Sequence, residues 1–165
     1  MKNISNTVKQ IVTAIDQINL NDPSHSRLAL ILVDNILELL IHRLCQREFS
    51  RDSMWKNIKP PKYSENEKRK VLGQHFDEKI NFLKRIKTLK ASEADFILIC
   101  HKYRNELYHK GVLKEDVILS ICCAYFFFVC DFYRNNRPQG YGVPGGKNPD
   151  EKLLIELIKK KDQQF

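Results

Sequence analysis

A chain of 165 residues has room for one domain with a substantial core but not comfortably for two, and 28 Lys and Arg against 20 Asp and Glu give it a formal charge of +8. That balance favours an anionic polymer such as RNA, or an acidic partner, although the basic residues are dispersed and form no arginine-rich tract. The polar N-terminus lacks a charged-then-apolar export pattern and no apolar run reaches the length of a bilayer span, so the expected location is cytoplasmic with no membrane contact. Cys45, Cys100, Cys122, Cys123 and Cys130 form no CxxC pair and sit mostly in apolar runs, which predicts free thiols in a reducing compartment.

In chain order, Ile4, Val8, Ile11, Ile15 and Ile18 fall at steps of three and four and predict an amphipathic helix over 4–19 on the bundle surface. After an interruption in which Ser24 or Ser26 can serve as cap, residues 27–49 are apolar on nearly every side and predict the central helix. Asp34, Glu38 and His42 recur along it every four residues, a polar stripe suited to bonding between helices. Pro60 and Pro61 end helical structure, and the Ser64–Glu67 capping box opens a long charged helix to about Leu89. A helix over 92–111 follows, then one opening at Glu115 whose apolar core, Val117 to Cys130, is about fourteen residues and short of a bilayer span. Residues 137–150 are a Gly/Pro-rich loop, and 151–165 form an amphipathic helix whose Leu153, Leu154, Leu157 and Ile158 dock on the bundle or on a partner chain. No strand pattern competes. The expected fold class is an all-α bundle of five to six helices built from residues 1–136.

The stretch from Ser92 to Gly111 is where helix signals and chemically capable side chains coincide. Ser92 and Asp95 resemble a capping box, and Gly111 lies where a left-handed C-terminal cap belongs. Phe96, Cys100, Tyr103 and Leu107 share an apolar arc, while His101, Arg104, Asn105, Tyr108 and His109 spread over the side facing away from that core. Arg104 and His109, five residues apart, diverge by about 140° on an ideal helix. One copy therefore does not aim both at one small target, and either a distorted helix end or a twofold dimer has to bring them together.

Arg104, four intervening residues and His109, with Asn105 directly after the Arg, in the string RNELYHKG at the end of a helix of a small all-helical chain, resemble the signature of the HEPN superfamily. The resemblance covers roughly residues 24–134. It implies a dimeric helical bundle and metal-independent endoribonuclease activity of the kind found in toxin–antitoxin and other defence systems, with no cofactor. It also implies that Arg104 and His109 are the catalytic pair and that Asn105 assists. In such toxins a Tyr that receives a modifying nucleotide commonly lies two residues after the His; here that position is Gly111 and Tyr108 precedes the His, which puts that form of control in doubt. His101 and Tyr108 flank Arg104 as candidate lining of an RNA groove, and Glu38 or Asp34 is the candidate for orienting Arg104.

Each residue also has a plainer reading. An Arg beside an apolar face often makes a structural ion pair, here with Glu38 or Asp34, and a His in the last turn favours the helix dipole. Cys100 and His101 lack metal-ligand spacing, and no metal is expected. His25, His75 and the Phe126–Phe128 run are assigned to capping, packing and core. The rival function is a catalytically silent HEPN module that binds RNA or a partner protein, such as an antitoxin or regulator, through the same surface.

Overall fold

A computed structural model of the chain describes residues 2–55, 57–110 and 115–136, and their side chains over 6–55, 57–108 and 117–136. The described residues form six α-helices and no strand: α1 (Lys2–Asn19), α2 (Pro23–Met54), α3 (Glu65–Leu72), α4 (Phe76–Arg85), α5 (Ala91–Lys110) and α6 (Glu115–Asn136). The expected all-α bundle is what the chain forms. The Gly/Pro-rich segment 137–150 and the C-terminal amphipathic segment 151–165 lie outside the described residues, as does Gly111.

Helix α2, 32 residues and so about 48 Å long, is the axis of the bundle. Its Leu30, Val33, Ile36, Leu37 and Ile41 are essentially inaccessible to water, and every other helix packs against it. The cap is Asp22, not Ser24 or Ser26: its carboxylate accepts from the backbone N–H of Ser24 at 2.8 Å and of His25 at 3.3 Å, while Pro23 takes the first helical position. Asp followed by Pro outcompetes the serines because the ring presets φ and removes an N–H that would otherwise be orphaned.

The single long helix expected from Ser64 to Leu89 is two helices. Ser64 does cap α3, its Oγ accepting from the Glu67 N–H at 3.2 Å, but the chain breaks at Gly73. A Cβ on Gly73 would lie 3.1 Å from the Lys70 carbonyl oxygen, tighter than side chains ordinarily tolerate. The break is then held by Lys79, a buried residue whose ammonium donates to the Gly73 and His75 carbonyls. Apolar spacing continues through the break because α3 and α4 bury the same side, so periodicity alone hides it.

Helix α5 starts one residue before Ser92, and Ser92 lies within its first turn instead of capping it; the Glu93 carboxylate reaches back to the Lys90 N–H at 2.8 Å. Phe96, Cys100, Tyr103 and Leu107 pack on the core as expected. Helix α6 buries Cys122, Tyr125, Phe126, Val129, Phe132 and Tyr133. Over Val117–Asn136 it is long and apolar enough to cross a membrane by length and composition, a longer stretch than Val117 to Cys130, and it packs along α2. All five cysteines are free thiols, and burial pushes Cys45 and Cys100 up to about 12, which keeps both protonated and unreactive.

Candidate functional site

Helix α5 packs against α2, α4 and α6. His101 and Arg104, three residues apart and hence neighbours on the helix surface, lean onto α2 instead of facing wholly away from the core. They meet Asp34 and Glu38, which are one turn apart on α2.

Asp34 is the hub. Its carboxylate is fully buried and has three donors: the Tyr125 hydroxyl to Oδ1 at 2.8 Å, His101 Nδ1 to Oδ2 at 3.0 Å, and Arg104 Nε to Oδ2 at 2.7 Å. The His101 bond requires the proton on Nδ1. The guanidinium is held at two further corners, Nη2 donating to Glu38 Oε1 at 2.6 Å and Nη1 to Asn105 Oδ1 at 2.7 Å. Arg104 is thereby fixed in one plane and one orientation, the arrangement in which an Arg fork meets a carboxylate or a phosphate.

The two carboxylates are tuned in opposite directions. Burial alone would raise Asp34, but the hydrogen bond and charge of His101, the charge of Arg104 and the Tyr125 hydroxyl together hold it below the ordinary carboxylate range. Glu38 is raised, first by burial and then by the neighbouring Asp34 charge, which outweigh the pull of Arg104 and His101. The Tyr125 hydroxyl is pushed well above its ordinary value by burial and by Asp34, so it stays a donor.

Beside Arg104 an open cleft of about 730 Å³ runs to the surface. One wall is the α3–α4 linker with Gln74 and His75; the other is α5, with Lys102 and Asn105. Phe76 and His101 meet within it, their ring centroids 4.5 Å apart and the planes tilted by 38°.

The structure thus gathers Asp34, Glu38, His101, Arg104 and Asn105 into one cluster. Tyr108 is 73 % exposed and lies outside the cleft lining. His109 belongs to the last turn of α5, and its side chain lies outside the described ones. His42, one turn beyond Glu38 on α2, is held below its ordinary value by burial and then by the Lys79 charge. Tyr125, read from sequence as core, turns out to be the third donor to Asp34. Gln74 and Phe76 carried no functional signal, and His75, assigned to capping or packing, stands at the α4 N-terminus without making a side-chain cap bond and lines the cleft.

One metal-like grouping appears among the described residues: ligand atoms of Asp34, Glu38 and His101 lie within 4.8 Å of one another. Arg104 Nη2 lies 2.5 Å from Asp34 and 2.6 Å from Glu38, so the guanidinium already occupies the position of the cation. No family model, curated protein or solved structure matches the chain.

Proposed function

We propose that the chain is a metal-independent endoribonuclease of HEPN type, acting as a homodimer in the cytoplasm within a defence or toxin–antitoxin type system and restrained by an antitoxin or other regulatory protein. The observation that carries this reading is the fixed Arg104 guanidinium at the inner end of an open cleft, on the same helix as His109 five residues further on. Arg104 places positive charge where a phosphorane gathers negative charge, and a His is the side chain that exchanges protons near neutral pH. The 2′-hydroxyl gives up its proton to a base as its oxygen bonds to phosphorus; the bond from phosphorus to the 5′-oxygen breaks and that oxygen takes a proton from an acid. Products are a 2′,3′-cyclic phosphate and a 5′-hydroxyl. His109 supplies the proton exchange, Arg104 holds the phosphate oxygens, and Asn105 steadies Arg104 from the side away from Asp34.

The silent binding module is the second reading, and one observation favours it: Arg104 already has Asp34, Glu38 and Asn105 on three of its nitrogens, which is what a purely structural Arg looks like. Labelled single-stranded RNA incubated with the full chain in EDTA separates the two. Cleavage to cyclic phosphate ends, abolished by His109→Ala in a protein of unchanged circular dichroism, supports the enzyme. Binding without cleavage supports the module, and cleavage that survives His109→Ala refutes the assignment of His109.

A further inference from the structure

The cleft beside Arg104 has an outer half whose chemistry differs from its inner end. Gln74 and His75 are exposed, line the cleft, and have no intramolecular hydrogen-bond or ion-pair partner for their side chains among the described residues. Two adjacent polar side chains with unspent donors and acceptors on one wall of a concave site are the kind of groups that fix a ligand's orientation. They are also rigidly mounted. The buried Lys79 ammonium ties down the carbonyls on either side of Gln74, and the Gly73 N–H donates to the Lys70 carbonyl at 3.3 Å, closing the end of α3.

Charge identifies the occupant. The outer cleft has one basic side chain, Lys102, against two acidic ones, Asp77 and Glu106, an acidic excess that disfavours a second phosphate there. The cation that can meet a phosphate is Arg104, at the inner end. What suits the outer half is a neutral, flat group with hydrogen-bonding edges, and the cleft as a whole, about 730 Å³, falls within the range of small-ligand sites. We infer that the outer cleft is a nucleobase subsite, in which Gln74 and His75 read the edge of the base next to the phosphate held by Arg104 and so make the protein base-selective. The Gln74 amide presents a donor and an acceptor side by side, and the His75 ring presents a stacking face as well as a polar edge. This subsite rests on the ribonuclease reading, because it takes its phosphate from Arg104.

The test uses the full chain and four fluorescently labelled tetranucleotides, one for each base, with 2′-O-methyl riboses that have no free 2′-hydroxyl and so cannot be cleaved. Fluorescence anisotropy should show one base preferred by about fivefold or more, the discrimination that one good bidentate contact provides. Gln74→Ala combined with His75→Ala should bring the four within about twofold of one another, every base losing the His75 stacking face and the preferred base losing most. Gln74→Glu, which replaces a donor with an acceptor, should alter which base is preferred. Equal binding of all four by the wild type, or a preference that persists in the double variant, overturns the subsite and leaves the ribonuclease reading standing. Failure of any tetranucleotide to bind overturns both.

Discussion

Replacing Arg104 by Ala is predicted to weaken the fold as well as any activity, because the Arg is the counter-ion of a carboxylate with no access to water. Removing one member of a buried pair costs about 3–5 kcal/mol, since the other charge is left desolvated and alone. Asp34 would keep the Tyr125 hydroxyl and His101, so the low end, about 3 kcal/mol, applies. In a domain of this size that lowers Tm by about 10 °C. Thermal melts followed at 222 nm at pH 7 measure it. Adding Asp34→Asn, which removes the need for a counter-ion, should recover part of the loss and leave a coupling of at least about 1 kcal/mol. A melt of Arg104→Ala within about 2 °C of the wild type, or strictly additive losses, would refute the account of Asp34 as a buried charge sustained by Arg104. A solvent-facing catalytic pair leads to the opposite expectation, a nearly unchanged melt. Arg104→Lys, which keeps a charge but loses the planar fork, is therefore the better probe of chemistry.

Acid should act through Asp34: its pKa is lowered in the fold, so its contribution is complete above about pH 4 and is lost as pH falls below that, and Asp34→Asn should flatten this part of the stability curve. Glu38 has the opposite sign. Its raised pKa means stability present below its ordinary value and lost as pH rises through the raised one, so Glu38→Gln should melt no lower than wild type at pH 7, with any gain vanishing toward pH 4; a drop of more than about 3 °C contradicts this. The same substitution removes a charged competitor from Arg104 Nη2, and should tighten binding of the uncleavable tetranucleotides severalfold; weaker binding would show that Glu38 supports the anion site instead of contesting it. Finally, if Arg104 of one protomer serves with His109 of the other, mixing Arg104→Lys and His109→Ala chains should restore about a quarter of wild-type cleavage, half of the dimers each having one intact site. No recovery on mixing would place the two residues in the same chain's site.

The parts of this molecule that were legible in its sequence are those governed by period. The spacing of Ile11, Ile15 and Ile18 or of Leu30, Val33 and Leu37 fixes a helix and its buried side, and the four-residue recurrence of Asp34 and Glu38 on an otherwise apolar helix already implied a charged partner nearby. Arg104 was one candidate for that partner, as a structural ion pair with Glu38 or Asp34 set beside a catalytic role, and the structure shows the pairing. Periodicity is blind, though, to anything that keeps the period while changing direction. The turn at Gly73 leaves Val71, Phe76, Ile80 and Leu83 on one continuous buried side, so no gap marks it; only the contact a Cβ would make with the Lys70 carbonyl explains why Gly stands there.

The consequences of that one turn extend to the site. Had α3 and α4 been a single rod, Gln74 and His75 would lie along a helix surface; because the chain breaks, they line one wall of a cleft whose opposite wall is α5. Tyr125 was hidden for a related reason. Its hydroxyl reaches a carboxylate 91 positions earlier, and a Tyr within an apolar run gives no sign of whether its polar end is satisfied by water or by protein. Burial decides it: a Tyr with no exposed surface beside an equally buried Asp bonds to it or leaves its own hydroxyl unsatisfied. The bond that follows holds Asp34 on α2 to α6 as Arg104 holds it to α5. The charge that orients the candidate catalytic Arg is therefore also a tie between three helices, and site and core are not separable here.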